Sequence, residues 1–376
     1  MKPTELFKEF FHSEKAGGLV LIGCTILSLI ITNFFAGEAY GDFWHMNISG
    51  LSLEHWINDG LMAIFFLLIG LELERELYIG ELSKLKDALL PIFAALGGML
   101  IPAGIFLLLN FGSPTSSGAG IPMATDIAFA LGVLSLLGNK VPLSLKVFLT
   151  ALAVIDDLGA IMVIAIFYSK SIVLTNLLIS LGVFAALLVL NRLKVFQLWL
   201  YLIGGIVMWY FMLQSGVHAT ITGVLLAFAV PFGNGDERSP SFKLQHILHY
   251  PVAFVILPIF ALANTAIQIR GDNISSFDEP YMLGIALGLI VGKPLGILIF
   301  TILGEKLGLC KIPEDLNRSK ILGAGFLGGI GFTMSIFIAL LAFEEPVMIN
   351  NAKLVILLSS LVAGLIGYLW LKRQLK

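Results

Sequence analysis

Charge is what this chain has least of. Asp, Glu, Lys and Arg make up only 13% of its 376 residues, where a water-soluble domain carries about 25%. Cysteine is nearly absent, with Cys24 and Cys310 alone, too few for a disulfide framework or a thiolate metal site. A basic leader with a cleavable apolar segment is not expected from these residues, and a long polar stretch is absent. So is the apolar/polar alternation that a membrane β-barrel needs. What is there is 58% hydrophobic, with 28 Phe and a mean hydropathy of +0.95. Apolar runs of about 20 residues recur along the whole length. The composition specifies an all-α polytopic membrane protein.

Read in order, the runs predict twelve transmembrane helices, near 15–36, 57–79, 88–110, 121–138, 146–168, 171–191, 196–213, 217–231, 246–268, 281–303, 320–343 and 350–371. The fourth follows "NFGSPTSSGAGIP", too rich in Gly, Ser and Pro to begin as a regular helix. The eighth is barely long enough to cross. The opening "MKPTELFKEFFHSEKAGG" reads as a short amphipathic helix lying in the membrane interface. Of the 23 Lys and Arg, this arrangement puts 19 on the side of the two termini and 3 (Lys170, Arg270 and Lys353) on the other, with Lys293 inside a span. By the positive-inside rule both termini are cytoplasmic. The net charge of −2 gives no reason to expect a nucleic-acid partner.

Four charges fall within predicted spans: Asp126 in "IPMATDIAFALG", the adjacent Asp156 and Asp157 in "LTALAVIDDLGAIMVIAIFY", and Lys293 in "ALGLIVGKPLGILIF". The aspartate pair lies about 15 Å from Lys146 along a helix, near the middle of a ~30 Å hydrocarbon layer. Together the four cost on the order of 10–14 kcal/mol to insert. A lysine pairing with one aspartate as helix glue would explain two of them; three acids against one base leave carboxylates over. Successive helical residues diverge by about 100°, so Asp156 and Asp157 cannot both face one partner. One is expected to pair with Lys293 and the other to face an ion cavity. A carboxylate there holds either a proton or a hard, oxygen-seeking cation, and not both.

Backbone signals agree. Thr125 and Asp126 follow a Gly/Pro-rich stretch, and "ILGAGFLGGIGFTMSIFIALLAF" carries Gly323, Gly325, Gly328, Gly329 and Gly331 before Thr333 and Ser335. Spans 4 and 11 are therefore predicted to be interrupted helices lining a cavity. They are the middle members of triplets at 88–168 and 281–371, which start from opposite sides and so allow an inverted-topology repeat within a single transmembrane domain.

Over essentially its whole length the chain resembles the sodium/proton antiporters of the NhaA type, a family of inverted-repeat transporters. The resemblance is carried by "ATDIAFALGVLSLLG", "LTALAVIDDLGA", "SGVHATITGVLLAF", "LPIFALANTA", "GKPLGI" and "GGIGFTMSIFIA". It implies an inner-membrane antiporter that exports Na+ or Li+ against more protons than cations, electrogenically and without a cofactor. It implies Asp157 as the first cation ligand, Asp156 as a further ligand and the partner of Lys293, and Thr125 and Asp126 where interrupted spans 4 and 11 cross. It also implies a pH-responsive region at Glu72 and Glu76 in "GLELEREL" and at Gln245, His246 and His249 in "FKLQHILHY", with His218 in "SGVHATITG" linked to the same response. Gln245 departs from the glutamate usual there, which bears on the steepness or midpoint of pH activation. The "GDFWHMNISGLSLEHW" loop alternates like a hairpin, and the resemblance makes the external 40–56 loop the joint of a homodimer.

Three other classes fit less well. An intramembrane aspartyl protease needs Gly-x-Gly-Asp within a span, and the match here, Gly233 to Asp236, is in a polar turn. A passive channel suits rapid passage better than a tight cluster of acids and lysine. A proton-coupled symporter of a small solute would need a roomier site with aromatic or amide groups.

Overall fold

A computed structural model describes residues 3–168, 172–269 and 278–375. Lys2, Lys170, Arg270 and Lys376 of the charge tally lie outside the described residues. The chain is nearly all helical: α1 (Pro3–Ile30), α2 (Gly37–His45), α3 (Leu53–Tyr78), α4 (Leu85–Asn110), α5 (Ile127–Ser135), α6 (Leu143–Phe167), α7 (Leu174–Arg192), α8 (Leu198–Leu213), α9 (Ile221–Ala229), α10 (Pro240–Asn264), α11 (Pro280–Lys306), α12 (Arg318–Gly328), α13 (Phe332–Ala342) and α14 (Pro346–Gln374). A 3-10 stretch, Pro114–Met123, leads into α5. Among the described residues nine helical stretches are long and apolar enough to cross a membrane, or ten if α12 and α13, bent by 50°, count as one.

Three expectations change. The N-terminal segment is not a separate interfacial helix, because α1 runs without a break from Pro3 into the first span. The eighth run is shorter than 217–231, since Pro231 forces the preceding Val230 to an extended ψ of 134° and ends α9 at Ala229. At ~1.5 Å per residue, α9 is too short to cross alone. Lys353, counted in the tally as an outer loop residue, sits inside α14 and is 5% exposed.

Two packing groups emerge. In one, α4 lies against α11 and α6, and α14 covers α11, α12 and α13; in the other, α3 packs on α9 and α10, α7 on α8, and α1 on α10, with α1 also reaching α5. A short antiparallel hairpin, Asn47–Ile48 with Leu51–Ser52, turns through Ser49 and Gly50, both at positive φ.

The α4–α11 contact positions the lysine. A Cβ on Gly97 would strike the carbonyl oxygen of Gly296, and a Cβ on Gly296 would strike that of Gly97, so the two backbones touch. This close approach, as at other small-residue membrane contacts, brings Lys293 over Gly98. Gly97→Ala should cost about 1–3 kcal/mol by overpacking and lower the thermal midpoint of the detergent-purified protein. Gly104→Ala, on the same helix with nothing within 4 Å of the added carbon, should leave the midpoint unchanged or raise it. Equal behaviour of the two variants would contradict the backbone contact.

Candidate functional site

Residues Ala124 to Asp126 are extended between the 3-10 stretch and α5. Beside them the chain turns between α12 and α13 at Gly329–Gly331, and the Asp126 N–H donates to the carbonyl of Ile330 at 2.7 Å. Each interruption thus satisfies part of the other's free backbone, which non-helical chain at membrane depth demands. The glycine at 329 has a local reason: a Cβ there would meet the carbonyl of Leu289.

Four helix ends meet at this crossing. Asp126 caps two N-termini at once. Its Oδ1 accepts from the Phe129 N–H at 2.9 Å, and its Oδ2 accepts from the Thr333 N–H at 3.1 Å and from the Thr333 hydroxyl. Each N-terminus carries roughly half a positive charge, so one carboxylate offsets α5 and α13 together. Ser360, reaching in from α14, accepts the Phe332 N–H at 3.1 Å. On the side of the chain where carbonyls gather, Lys293 Nζ donates to the carbonyl of Met123, at the end of the 3-10 stretch, and forms an ion pair with Asp156 Oδ2 at 2.9 Å.

Thr125 links the two halves. Its Oγ1 is 2.7 Å from Asp156 Oδ2 and 2.8 Å from the carbonyl of Gly328, the end of α12. A hydroxyl has one proton to give. It donates to Asp156 while that carboxyl is ionised, and it is free to donate to Gly328 once Asp156 takes up a proton and becomes a donor itself.

Asp157 differs from its neighbours. It is 1% exposed, and neither carboxylate oxygen has a hydrogen-bond partner among the described residues. It lines a cavity with Thr125, Asp126, Thr333, Phe65 and Met334 that runs to half-exposed Glu72 and His249. The cavity volume is about 30 Å³. That accommodates one or two waters or a small cation, far below the ~300 Å³ lower bound for an organic ligand site.

The structure therefore brings Thr125, Asp126, Asp156, Asp157 and Lys293 together. Of the six residues tied to pH response, Glu72 and His249 face the same cavity. His246 stacks on Phe242 with centroids 6.3 Å apart, and the Arg75 guanidinium is 5.0 Å from the same ring. Glu76 and Gln245 are half-buried on α3 and α10. His218 stands apart: its Nε2 meets the carbonyl of Tyr168 at 2.8 Å, at the opposite end of α6 from Lys146. Sequence reasoning gave no role to Thr333, Ser360 or the Met123 carbonyl. The threonine beside the glycine run and the Ser359–Ser360 pair inside an apolar span were the available signals.

Residues 8–371 match the family model described as Na+/H+ antiporter 1. The chain is similar to the Na(+)/H(+) antiporter NhaA of Flavobacterium psychrophilum, at 68% identity over 100% of this chain and 98% of that one. It is similar to the protein of the same name from Cytophaga hutchinsonii, at 62% identity over 100% and 97%, and to that from Vibrio cholerae, at 47% over 99% and 98%. Its fold is similar to the structure of the sodium proton antiporter MjNhaP1 from Methanocaldococcus jannaschii, with a TM-score of 0.55 at 18% identity, covering 98% of this chain and 100% of that one.

Breaking the buried pair is expected to be worse than removing it. Lys293→Met strands Asp156 and should cost about 3–5 kcal/mol, read as a lower melting temperature in detergent. Adding Asp156→Asn should recover most of that loss. If the double variant melts below the single one, the two side chains are not partners.

Proposed function

The chain belongs to the Na+/H+ antiporter 1 family, and on that premise we propose that this multi-pass membrane transporter exports Na+ or Li+ in exchange for external protons at Asp157. The observation that carries the proposal is the Asp157 carboxylate, buried and without a hydrogen-bond partner among the described residues, in the lining of a cavity sized for an ion. Asp156 holds Lys293 and stands ready as a second ligand, and Asp126 and Thr125 hold the crossing in shape. The symporter alternative would need a much larger cavity.

Charge arithmetic favours unequal exchange. Three aspartates and one lysine leave the ionised cluster two charges negative, which two protons neutralise and one sodium does not. Carrying more protons than cations makes the exchange electrogenic and draws on the membrane potential. Twelve passes, the eighth made by α9 together with the non-helical residues on either side of it, with two interrupted, crossing helices and inverted repeats at 88–168 and 281–371, suit such a carrier. The placement of α5, α12 and α13 around Asp126 supports that architecture. In this reading the protein lies in a bacterial inner membrane with both termini cytoplasmic, so Glu72 and His249 line the cytoplasmic approach. Together with Glu76, Gln245 and His246 they make the pH-responsive region, with His218 on the outer side. The hairpin at Asn47–Ser52 supports pairing through the 40–56 loop into a homodimer.

In everted vesicles with an imposed pH gradient, added Na+ or Li+ should collapse the gradient and K+ should do little. Asp157→Asn should abolish the response, and full activity in that variant removes this residue from the ion site. Because a proton and the cation contend for one carboxylate, the apparent Na+ affinity should weaken as pH falls, by up to ~10-fold per unit for each proton displaced. Measured from pH 9 to 6, an affinity indifferent to pH would exclude competition at a shared site.

A further inference from the structure

Lys353 is a second buried lysine, and the ion site does not use it. It lies on α14, far along the chain from Lys293, with its side chain 7% exposed. Its Nζ is 3.5 Å from Glu54 Oε1, while Glu54 Oε2 is 3.3 Å from Nδ1 of His45, at the end of α2. Glu54 opens α3. The pair thus ties α14, which packs on α11, α12 and α13, to α3, which packs on α9 and α10.

Another polar contact on this face crosses between the groups, His218 Nε2 against the carbonyl of Tyr168 at 2.8 Å, between the turn before α9 and the end of α6; the following ones stay within one group. Asn264 donates to Asn58 at 2.8 Å, joining α10 to α3, and Asn351 donates to the Tyr281 hydroxyl at 3.3 Å, joining α14 to α11. Trp56 and Trp209 stack with centroids 5.8 Å apart, joining α3 to α8. Deeper in, the two groups meet through apolar surface: Phe66 of α3 and Phe260 of α10 lie against Phe337 of α13, at 5.4 and 6.5 Å between centroids. Apolar surfaces of this kind slide past one another without losing a specific partner. A buried lysine and its carboxylate do not part so easily, since each stranded ion is costly.

The cavity at Asp157 runs toward Glu72 and His249, on the face where α3 ends. Lys353 and Glu54 sit where α3 and α14 begin, on the opposite face. We propose that Lys353 and Glu54, which take no part in binding the ion, form an ion pair that latches the two packing groups together on the outer face and must part before Asp157 is reached from that side. This rests on the antiport reading, which requires Asp157 to be reached alternately from each face.

The test replaces Cys24 and Cys310 with serine and introduces Glu54→Cys and Lys353→Cys into the full chain. Before linking, Na+-driven proton movement in everted vesicles should persist, because the latch binds no ion. A short bis-methanethiosulfonate reagent should then lower exchange at least tenfold, and reductant should restore it. A second pair within one group, Trp56→Cys and Trp209→Cys, should keep its rate when linked by the same reagent. Unchanged exchange in the linked 54–353 protein overturns the proposal, as does loss of exchange before linking or equal inhibition of both linked pairs. Absence of Na+-driven proton movement in the parent serine chain would be a failure of the antiport reading instead.

Discussion

An ion cannot rest in the middle of a bilayer without something to offset it, and this chain places four there. The structure answers with two kinds of partner. Asp126 is spent on helix dipoles, taking the N–H groups of Phe129 and Thr333 that open α5 and α13. Lys293 divides between a carboxylate and a carbonyl, Asp156 and Met123. Once those matches are made, Asp157 is the group left over. On the proposed reading, that is what leaves it free to take the ion.

That balance depends on backbone geometry more than on the acids themselves. Had spans 4 and 11 been regular helices, no N–H or C=O would point at the crossing, and Asp126 and Lys293 would lack their second partners. Interrupting a helix in lipid is expensive unless the freed groups pair at once. Here Asp126 N–H finds the carbonyl of Ile330, Thr125 finds Gly328, Ser335 finds the carbonyl of Ile121 at 2.7 Å, and Phe332 N–H finds Ser360. Gly97 and Gly296 add the last condition, because only two bare backbones let α11 come close enough for Lys293 to reach the centre.

Much of this could be read from the residues. Charges stand out against apolar runs, so Asp126, Asp156, Asp157 and Lys293 were visible at once, and the glycines at 328–331 marked the turn between α12 and α13. The angular separation of adjacent helical residues required Asp156 and Asp157 to differ, and the family resemblance said which was which. Buried hydroxyls were harder. Thr333 and Ser360 look like any small residue in a span, because hydropathy weighs a hydroxyl lightly while a dipole end weighs it heavily. Lys353 misled for a different reason: near the end of a run a lysine is usually solvated, whereas here it is buried on α14 with Glu54, distant in the sequence, 3.5 Å away. The shortness of α9 hinged on Pro231, a signal present in the sequence but outweighed by the apolar content around it.

Thr125 shows how occupancy at the site reaches the rest of the fold. Its single proton lies between Asp156 and the last turn of α12. With Asp156 ionised, the hydroxyl turns to the carboxylate and the Gly328 carbonyl loses that donor. When Asp156 takes a proton, the roles reverse and α12 gains a bond. On the proposed reading, a proton arriving at the aspartates therefore tightens the crossing, and a cation that displaces it loosens one end. Since α14 covers α12 and also carries Lys353, any shift of α12 is felt on the face that Glu54 closes. The two ends of the pathway are joined through one packed group of helices, so opening at one face and closing at the other need no separate messenger.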